Sequence, residues 1–146
     1  MSKVILYTKD YLHECLDLFD SNTPPFFATN EKSLFKNYLA KDRINYYLFF
    51  QKKIIAAAGF EYEKKNNCIM LTWGMVHHQF HNQGYGTYMT EYRLEKIQIQ
   101  YPGINIMLNT SQLTFKFYEK LGFKIIKFKK NGYMQGLDRY DMILEQ

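Results

Sequence analysis

The chain carries only two cysteines, three prolines and one tryptophan among its 146 residues. Cys15 and Cys68 stand far apart in no ligand-like or disulfide-like spacing. This argues against a disulfide scaffold and against a cysteine-based zinc site, and fits two reduced thiols in a cytoplasmic protein. No stretch approaches the ~20 apolar residues of a membrane span, so no membrane partner is expected. The opening Met1-Ser2-Lys3-Val4-Ile5-Leu6 lacks the long apolar segment of a secretory signal. Internal repeats, low-complexity tracts and linkers are absent from the sequence. The formal net charge is +5, yet the lysines are scattered and the densest run, Lys127, Lys129 and Lys130, is short. A solvated surface is the expectation, with no nucleic-acid partner.

What the sequence has is apolar and aromatic mass. Hydrophobic residues make up 47% of it, which excludes a disordered chain. Thirteen tyrosines and twelve phenylalanines point first to core and sheet packing, and second to the lining of a cleft. The length suits a single domain over residues 1–146, able to bury a core without covalent staples.

Periodicity gives the order of elements. Lys3 to Tyr7 reads as a short strand. A helix follows, capped near Asp10, with Leu12, Cys15, Leu16 and Phe19 on one face. Asn22-Thr23-Pro24-Pro25 ends it. A second helix starts after Thr29 or Asn30, with Leu34, Phe35, Tyr38 and Leu39 as its stripe. Strands are expected over Asn45 to Phe50, Ile54 to Tyr62 and Ile69 to His77, the last apolar on both faces as a central strand would be. A helix runs from about Tyr85 to Gln98, with Tyr85, Tyr88, Met89 and Tyr92 sharing a face that Leu94 and Ile97 leave. Ile104 to Leu108 is the next strand and Ser111 to Leu121 the next helix, with Gly122 at the left-handed position after it. Two last strands, Phe123 to Lys129 and Arg139 to Leu144, flank a loop centred on Asn131-Gly132. The order β-α-α-β-β-β-α-β-α-β-β predicts an α/β (α+β) fold. A mixed, mostly antiparallel sheet of six to seven strands is expected, covered by four helices.

One loop invites chemistry. Trp73-Gly74-Met75-Val76-His77 is a buried strand, and His81-Asn82-Gln83-Gly84-Tyr85-Gly86-Thr87 follows and opens a helix. Glycines allow a tight turn and close approach to a ligand. The first helical turn has unpaired N–H groups and a partial positive charge, which together suit phosphate oxygens. The loop lacks the third glycine of a dinucleotide fingerprint and the Lys-Ser/Thr of a nucleotide P-loop. Alone, it is equally a tight strand-to-helix turn with no ligand. A second segment, Phe117-Tyr118-Glu119-Lys120-Leu121-Gly122-Phe123, ends a helix and begins a strand. Alone, it is an amphipathic helix with a glycine cap.

In this order and about thirty residues apart, the two segments resemble the GNAT superfamily of N-acetyltransferases. The family's Gln/Arg-x-x-Gly-x-Gly/Ala pyrophosphate loop aligns with His81 to Gly86, and its Tyr-Glu-Lys-x-Gly-Phe helix ending matches Tyr118 to Phe123. His81 departs from Gln/Arg, Ser111 from a frequent Asn, Thr114 from a common Ala and His78 from a frequent Pro. The resemblance implies an acetyl-CoA-dependent enzyme with a GNAT-like fold. Its cofactor residues would be Met75, Val76, His81, Asn82, Gln83, Gly84, Tyr85, Gly86, Thr87, Asn109, Ser111 and Tyr118.

The implied reaction moves acetyl from acetyl-CoA to a primary amine of a small molecule or peptide, by direct attack on the thioester. An alkyl ammonium has a pKa of about 10.4, so a base must take its proton. An oxyanion needs a donor, which in the family is a backbone N–H near Val76. The departing thiolate needs an acid, which the resemblance assigns to Tyr118. For the base, the strand before the loop carries no carboxylate. Glu61, with Glu63 beside it, is the tentative substitute, and an exposed surface carboxylate is the alternative for each. The acceptor is expected against Ser21 to Asn30, where Phe26 and Phe27 are either substrate contacts or an apolar plug. The resemblance also allows a homodimer, and a CoA-binding sensor or scaffold without catalysis. A histidine metal site (His77, His78, His81, with His13) is disfavoured, because adjacent strand residues point to opposite faces.

Overall fold

Alternating apolar runs on short β-branched and aromatic segments make strands, and these strands hydrogen-bond into one sheet. The structure is a computed structural model that describes residues 3–23, 26–27 and 29–146. Among them are seven strands: β1 (Lys3–Leu6), β2 (Asn45–Gln51), β3 (Lys53–Glu63), β4 (Cys68–Val76), β5 (Ile106–Thr110), β6 (Lys124–Met134) and β7 (Leu137–Leu144). Four α-helices accompany them: α1 (Leu12–Ser21), α2 (Lys32–Leu39), α3 (Tyr85–Gln100) and α4 (Phe115–Lys120). The sheet order is β1-β2-β3-β4-β5-β7-β6. The pairs β1/β2, β2/β3, β5/β7 and β6/β7 are antiparallel, and β4/β5 is parallel. The expected order of elements and the mixed sheet are thus observed, with β4 in the interior of the sheet.

Two compact units divide the residues: Met1–Glu61 with Thr72–Lys96, and Tyr62–Leu71 with Ile97–Gln146. In the first unit, β2 and β3 form a hairpin through Lys52, whose φ is +71°. Tyr46, Leu48 and Ala57 on one face of that hairpin pack with Cys15, Leu18 and Phe19 of α1 and Phe35, Tyr38 and Leu39 of α2. Tyr47 and Phe49 on the other face meet Tyr92 of α3 edge-on, with ring centroids 5.3 and 5.5 Å apart. In the second unit, Leu108 of β5 pairs with Met142 of β7, and both are buried. Phe115 of α4 stacks on Tyr140 of β7, with centroids 4.3 Å apart.

Several local expectations are corrected. Asp10 does not cap α1: Lys9–Tyr11 is a 3₁₀ turn, and Tyr11 precedes the helix without a side-chain cap. Leu18 joins Cys15 and Phe19 in the core, and Leu12 is exposed. Leu34 is exposed as well, because α2 starts after a 3₁₀ turn at Thr29–Glu31 and turns Phe35, Tyr38 and Leu39 inward. Pro24 and Pro25, expected to break the first helix, lie outside the described residues. On α3 the buried stripe is Met89, Thr90, Arg93 and Ile97, while Tyr88 is exposed. β5 begins at Ile106 and α4 at Phe115, both later than the pattern suggests. Asn131-Gly132 is no loop. Strand β6 runs through it with an irregular register between Lys129 and Met134, and the chain reverses at Gly136, with φ +82°.

Candidate functional site

The strand β4 enters the loop before α3 by a distorted route. Trp73 has φ +40°, a left-handed backbone that a bulky residue rarely adopts. After it, His77 N–H donates to Ile55 O of β3 at 2.7 Å. Backbone groups alternate in direction along a strand, so the neighbouring Val76 N–H and C=O point away from β3. The Val76 carbonyl accepts from Asn22 Nδ2 at 3.0 Å and from His81 Nε2 at 2.8 Å. His81 thus closes the loop onto the strand end. Its ring also meets Phe26 edge-on, 5.1 Å between centroids.

The loop itself is built from short local bonds. A 3₁₀ turn spans His78–Phe80, and His77 Nδ1 accepts from Gln79 N–H at 3.2 Å. Burial, and then the charge of Lys53 and the other two loop histidines, hold the His77 pKa below its ordinary 6.5. Asn82 and Gly84 take φ +61° and +86° before the chain enters α3. The first helical bond runs from Tyr88 N–H to Gly84 O at 3.1 Å. The N–H groups of Gly84, Tyr85, Gly86 and Thr87 therefore precede the intrahelical ladder. No carboxylate lies in the first turn of this sixteen-residue helix, so its positive end faces no fixed anion of its own. A Cβ on Gly84 would meet nothing within 4 Å, so the space beside this residue is open. Strand end, left-handed turn and bare helix start fit a phosphate-bearing ligand.

In the second unit, α4 ends in a Schellman motif. Phe123 N–H donates to Tyr118 O at 3.1 Å, Gly122 N–H donates to Glu119 O at 3.0 Å, and Gly122 has φ +100°. The Tyr118 and Phe123 rings are 5.8 Å apart, the apolar contact that accompanies such a cap. The half-buried Tyr118 therefore has a fixed backbone, and its ring lies against Phe117 and Phe123. Ser111 is buried and its Oγ accepts from Leu113 N–H at 3.2 Å. The Asn109 amide, turned to satisfy both partners, donates to Asp141 Oδ1 (2.8 Å) and accepts from Arg139 Nη2 (3.3 Å). Its side chain is thus held by β7.

Glu61 is exposed. Burial pushes the Tyr38 hydroxyl up to about 12 against the opposing hydrogen bond with Thr72, and the Glu61 charge adds a smaller rise. Glu63 is committed to the β3–β4 turn, accepting from Asn66 at 2.6 Å. Phe27 stacks on Phe19 at 5.0 Å and packs on Trp73 at 5.9 Å, which supports the plug reading for it. Among the described residues, no group of three or more His, Cys, Asp and Glu is placed to hold a metal. Among the described residues, no helix is long and apolar enough to cross a membrane.

Three residues to which the sequence assigned no functional role matter in the first unit. Asn22 looked like a helix breaker and proves to be a buried anchor for Val76. Tyr46 looked like ordinary strand packing, and its hydroxyl donates to Trp73 O at 2.7 Å. Arg93 drew no role from the sequence and is buried. Its position midway between buried Met89 and Ile97, four residues from each, was the available signal.

The profile of the family described as "Acetyltransferase (GNAT) domain" matches residues 21–146. Among solved structures, the chain is similar to the ribosomal-protein-S18-alanine N-acetyltransferase from Escherichia coli. The TM-score is 0.81 at 19% identity, covering 99% of this chain and 94% of that one. It is similar to Ard1 from Thermoplasma volcanium, with TM-score 0.80, 12% identity and coverage of 98% and 96%. It is also similar to Arabidopsis thaliana Naa50 in complex with the bisubstrate analogue CoA-Ac-MVNAL, with TM-score 0.74, 16% identity and coverage of 99% and 98%. No curated protein sequence matches significantly.

Proposed function

Because this chain belongs to the GNAT family of acetyltransferases, we propose a residue-by-residue assignment of its acetyl transfer. The enzyme is an acetyl-CoA-dependent N-acetyltransferase, with acetyl-CoA as cosubstrate and an amine as acceptor. In the proposal, the N–H groups of Gly84 to Thr87 hold the pyrophosphate, with Asn82 and Gln83 at the rim. The backbone of Met75 and Val76 holds the pantetheine arm, and the Val76 N–H faces the thioester oxygen. His81 contributes by fixing the loop to Val76 rather than through its charge. Asn109 and Ser111 contribute through their backbone, since their side chains are engaged locally.

Bound acetyl-CoA supplies an acyl group activated as a thioester. The acceptor nitrogen forms the new C–N bond as the C–S bond breaks. Tyr118 gives its phenolic proton to the departing sulfur, and Glu61, directly or through water, takes the proton of the attacking amine. The acceptor is a primary amine of a small molecule or a peptide. Residues 1–146 act as one catalytic domain in this reading, supported by a family match over most of the chain. A cytoplasmic setting is part of it, supported by two free, buried cysteines.

The bare start of α3 behind the left-handed turn at Gly84 carries the reading. Calorimetry with coenzyme A tests it on the wild type and on Gly84→Glu, which sets a negative charge at the amides and an L side chain at φ +86°. Binding by the wild type and a loss of tenfold or more in the variant are expected. No wild-type binding at millimolar coenzyme A overturns it. Tight binding with no turnover across a panel of amines and peptide N-termini would instead identify a CoA-binding sensor.

A further inference from the structure

The strand that leads to the cofactor loop is bent at one peptide, and that peptide is held from both sides. Trp73 keeps φ +40° although a tryptophan gains nothing from the left-handed region. Its ring is pinned by Phe35 at 5.1 Å and Phe27 at 5.9 Å. Its carbonyl accepts the hydroxyl of Tyr46, a fully buried β2 residue, at 2.7 Å. Burial pushes the Tyr46 hydroxyl well up, so it remains a proton donor across any working pH.

On the opposite side stands Arg93 of α3, also buried. Its Nη1 donates to Gly59 O at 3.2 Å and its Nη2 to Thr90 Oγ1 at 3.4 Å. A Cβ on Gly74, the residue after Trp73, would lie 3.2 Å from Nη2 and 3.4 Å from Nη1. The guanidinium therefore lies against the backbone of the bend where only a glycine leaves room without displacement. Gly59 is more confined still, since its Cβ would meet Asn45 O at 2.4 Å and Thr72 Oγ1 at 2.9 Å.

We propose that Tyr46 and Arg93 are positioning residues for acetyl transfer: they clamp the Trp73–Gly74 bend and so aim the Val76 N–H at the thioester oxygen. The inference rests on the assignment of Met75 and Val76 to acetyl-CoA. Neither residue touches the cosubstrate in this scheme. Tyr46 fixes the bend from β2, and Arg93 fixes it from the helix whose start holds the phosphates. One helix thereby registers the pyrophosphate end against the thioester end. A planar fork suits this role, and lysine cannot reach both Gly59 O and Thr90 Oγ1 in the same way.

The test uses [1-13C]acetyl-CoA bound to the full chain. A hydrogen bond to the thioester oxygen moves the carbonyl resonance downfield from its free position. In Tyr46→Phe the bound-minus-free shift should fall by half or more, while coenzyme A affinity stays within twofold of wild type. Leu48→Ala, a buried core change on the same strand that removes no hydrogen bond to the bend, serves as the control for general destabilisation and should keep the wild-type shift. Arg93→Lys keeps the charge and loses the planar fork, so its shift should fall between those of the wild type and Tyr46→Phe, and a wild-type shift there would remove Arg93 from the clamp. An unaltered shift in Tyr46→Phe, or the same loss in Leu48→Ala, overturns the inference. Failure of the wild type to bind coenzyme A is a different result and overturns the assignment on which the inference stands.

Discussion

At the scale of single residues, His77 and Tyr118 lead to separate measurements. The His77 Nδ1 can accept from Gln79 N–H only while it is unprotonated. Its folded-state pKa lies below 6.5, through burial first and then the nearby positive charges. The stabilisation it gives is fully present above the unfolded value and is lost as pH falls through that value towards the lower folded one. His77→Asn keeps a side-chain acceptor for Gln79 and removes the titration. Its melting temperature should therefore fall less steeply than wild type between about pH 7.5 and about pH 5.5, the range in which histidine titrates. An identical slope would mean that the bond to Gln79 carries no stability. Tyr118→Phe removes one proton donor and leaves the Schellman backbone intact. Turnover should fall about 10²- to 10⁴-fold, the usual worth of a general acid, with coenzyme A affinity unchanged by calorimetry. Unchanged turnover would remove Tyr118 from its role.

At the scale of elements, the end of α4 shows why some structure is legible in sequence. Glycine after a helix, followed by an apolar residue, is a local code, and Gly122 and Phe123 obey it. Gly122→Ala forces an L residue to φ +100° and brings a methyl to 3.3 Å from Leu144 Cδ1. A stability loss of about 1–2 kcal/mol is expected in urea unfolding, the usual cost of left-handed backbone for an L residue. The order of elements along the chain, the glycine-bearing start of α3 and the place of Tyr118 on α4 were legible because each depends on neighbours within one or two turns. Arg93 was not, because only the packing of α3 on β3 and β4 turns a charge inward. Tyr46 and Asn22 were missed for the same reason: their partners, Trp73 and Val76, lie 27 and 54 residues away. The last hairpin misled because Asn-Gly is a strong turn signal. In the fold Asn131 instead serves the turn from outside it, accepting from Gly136 N–H at 2.7 Å and donating its own N–H to Asp138 at 2.9 Å.

At the scale of the whole molecule, the sheet must end somewhere, and β6 is one of its edges. Ile126 and Phe128 are exposed on this strand, an invitation to pairing with another chain. Lys124, Lys127, Lys129 and Lys130 line the same strand and are exposed. Like charges brought together oppose edge-to-edge association, which gives this short basic run a use that requires no nucleic acid. The double variant Lys127→Thr, Lys129→Thr should raise light scattering at a protein concentration where the wild type stays clear. Equal clarity would show that the lysines do not guard the edge. Long-range ties have chemical consequences too. Asn22 and His81 reach Val76 from opposite directions in the chain, and a carbonyl oxygen offers two lone pairs. That oxygen is saturated before any cosubstrate arrives. A synthetic coenzyme A in which an ester replaces one pantetheine amide deletes an N–H, and at Val76 O there is no lone pair left for that N–H to have used.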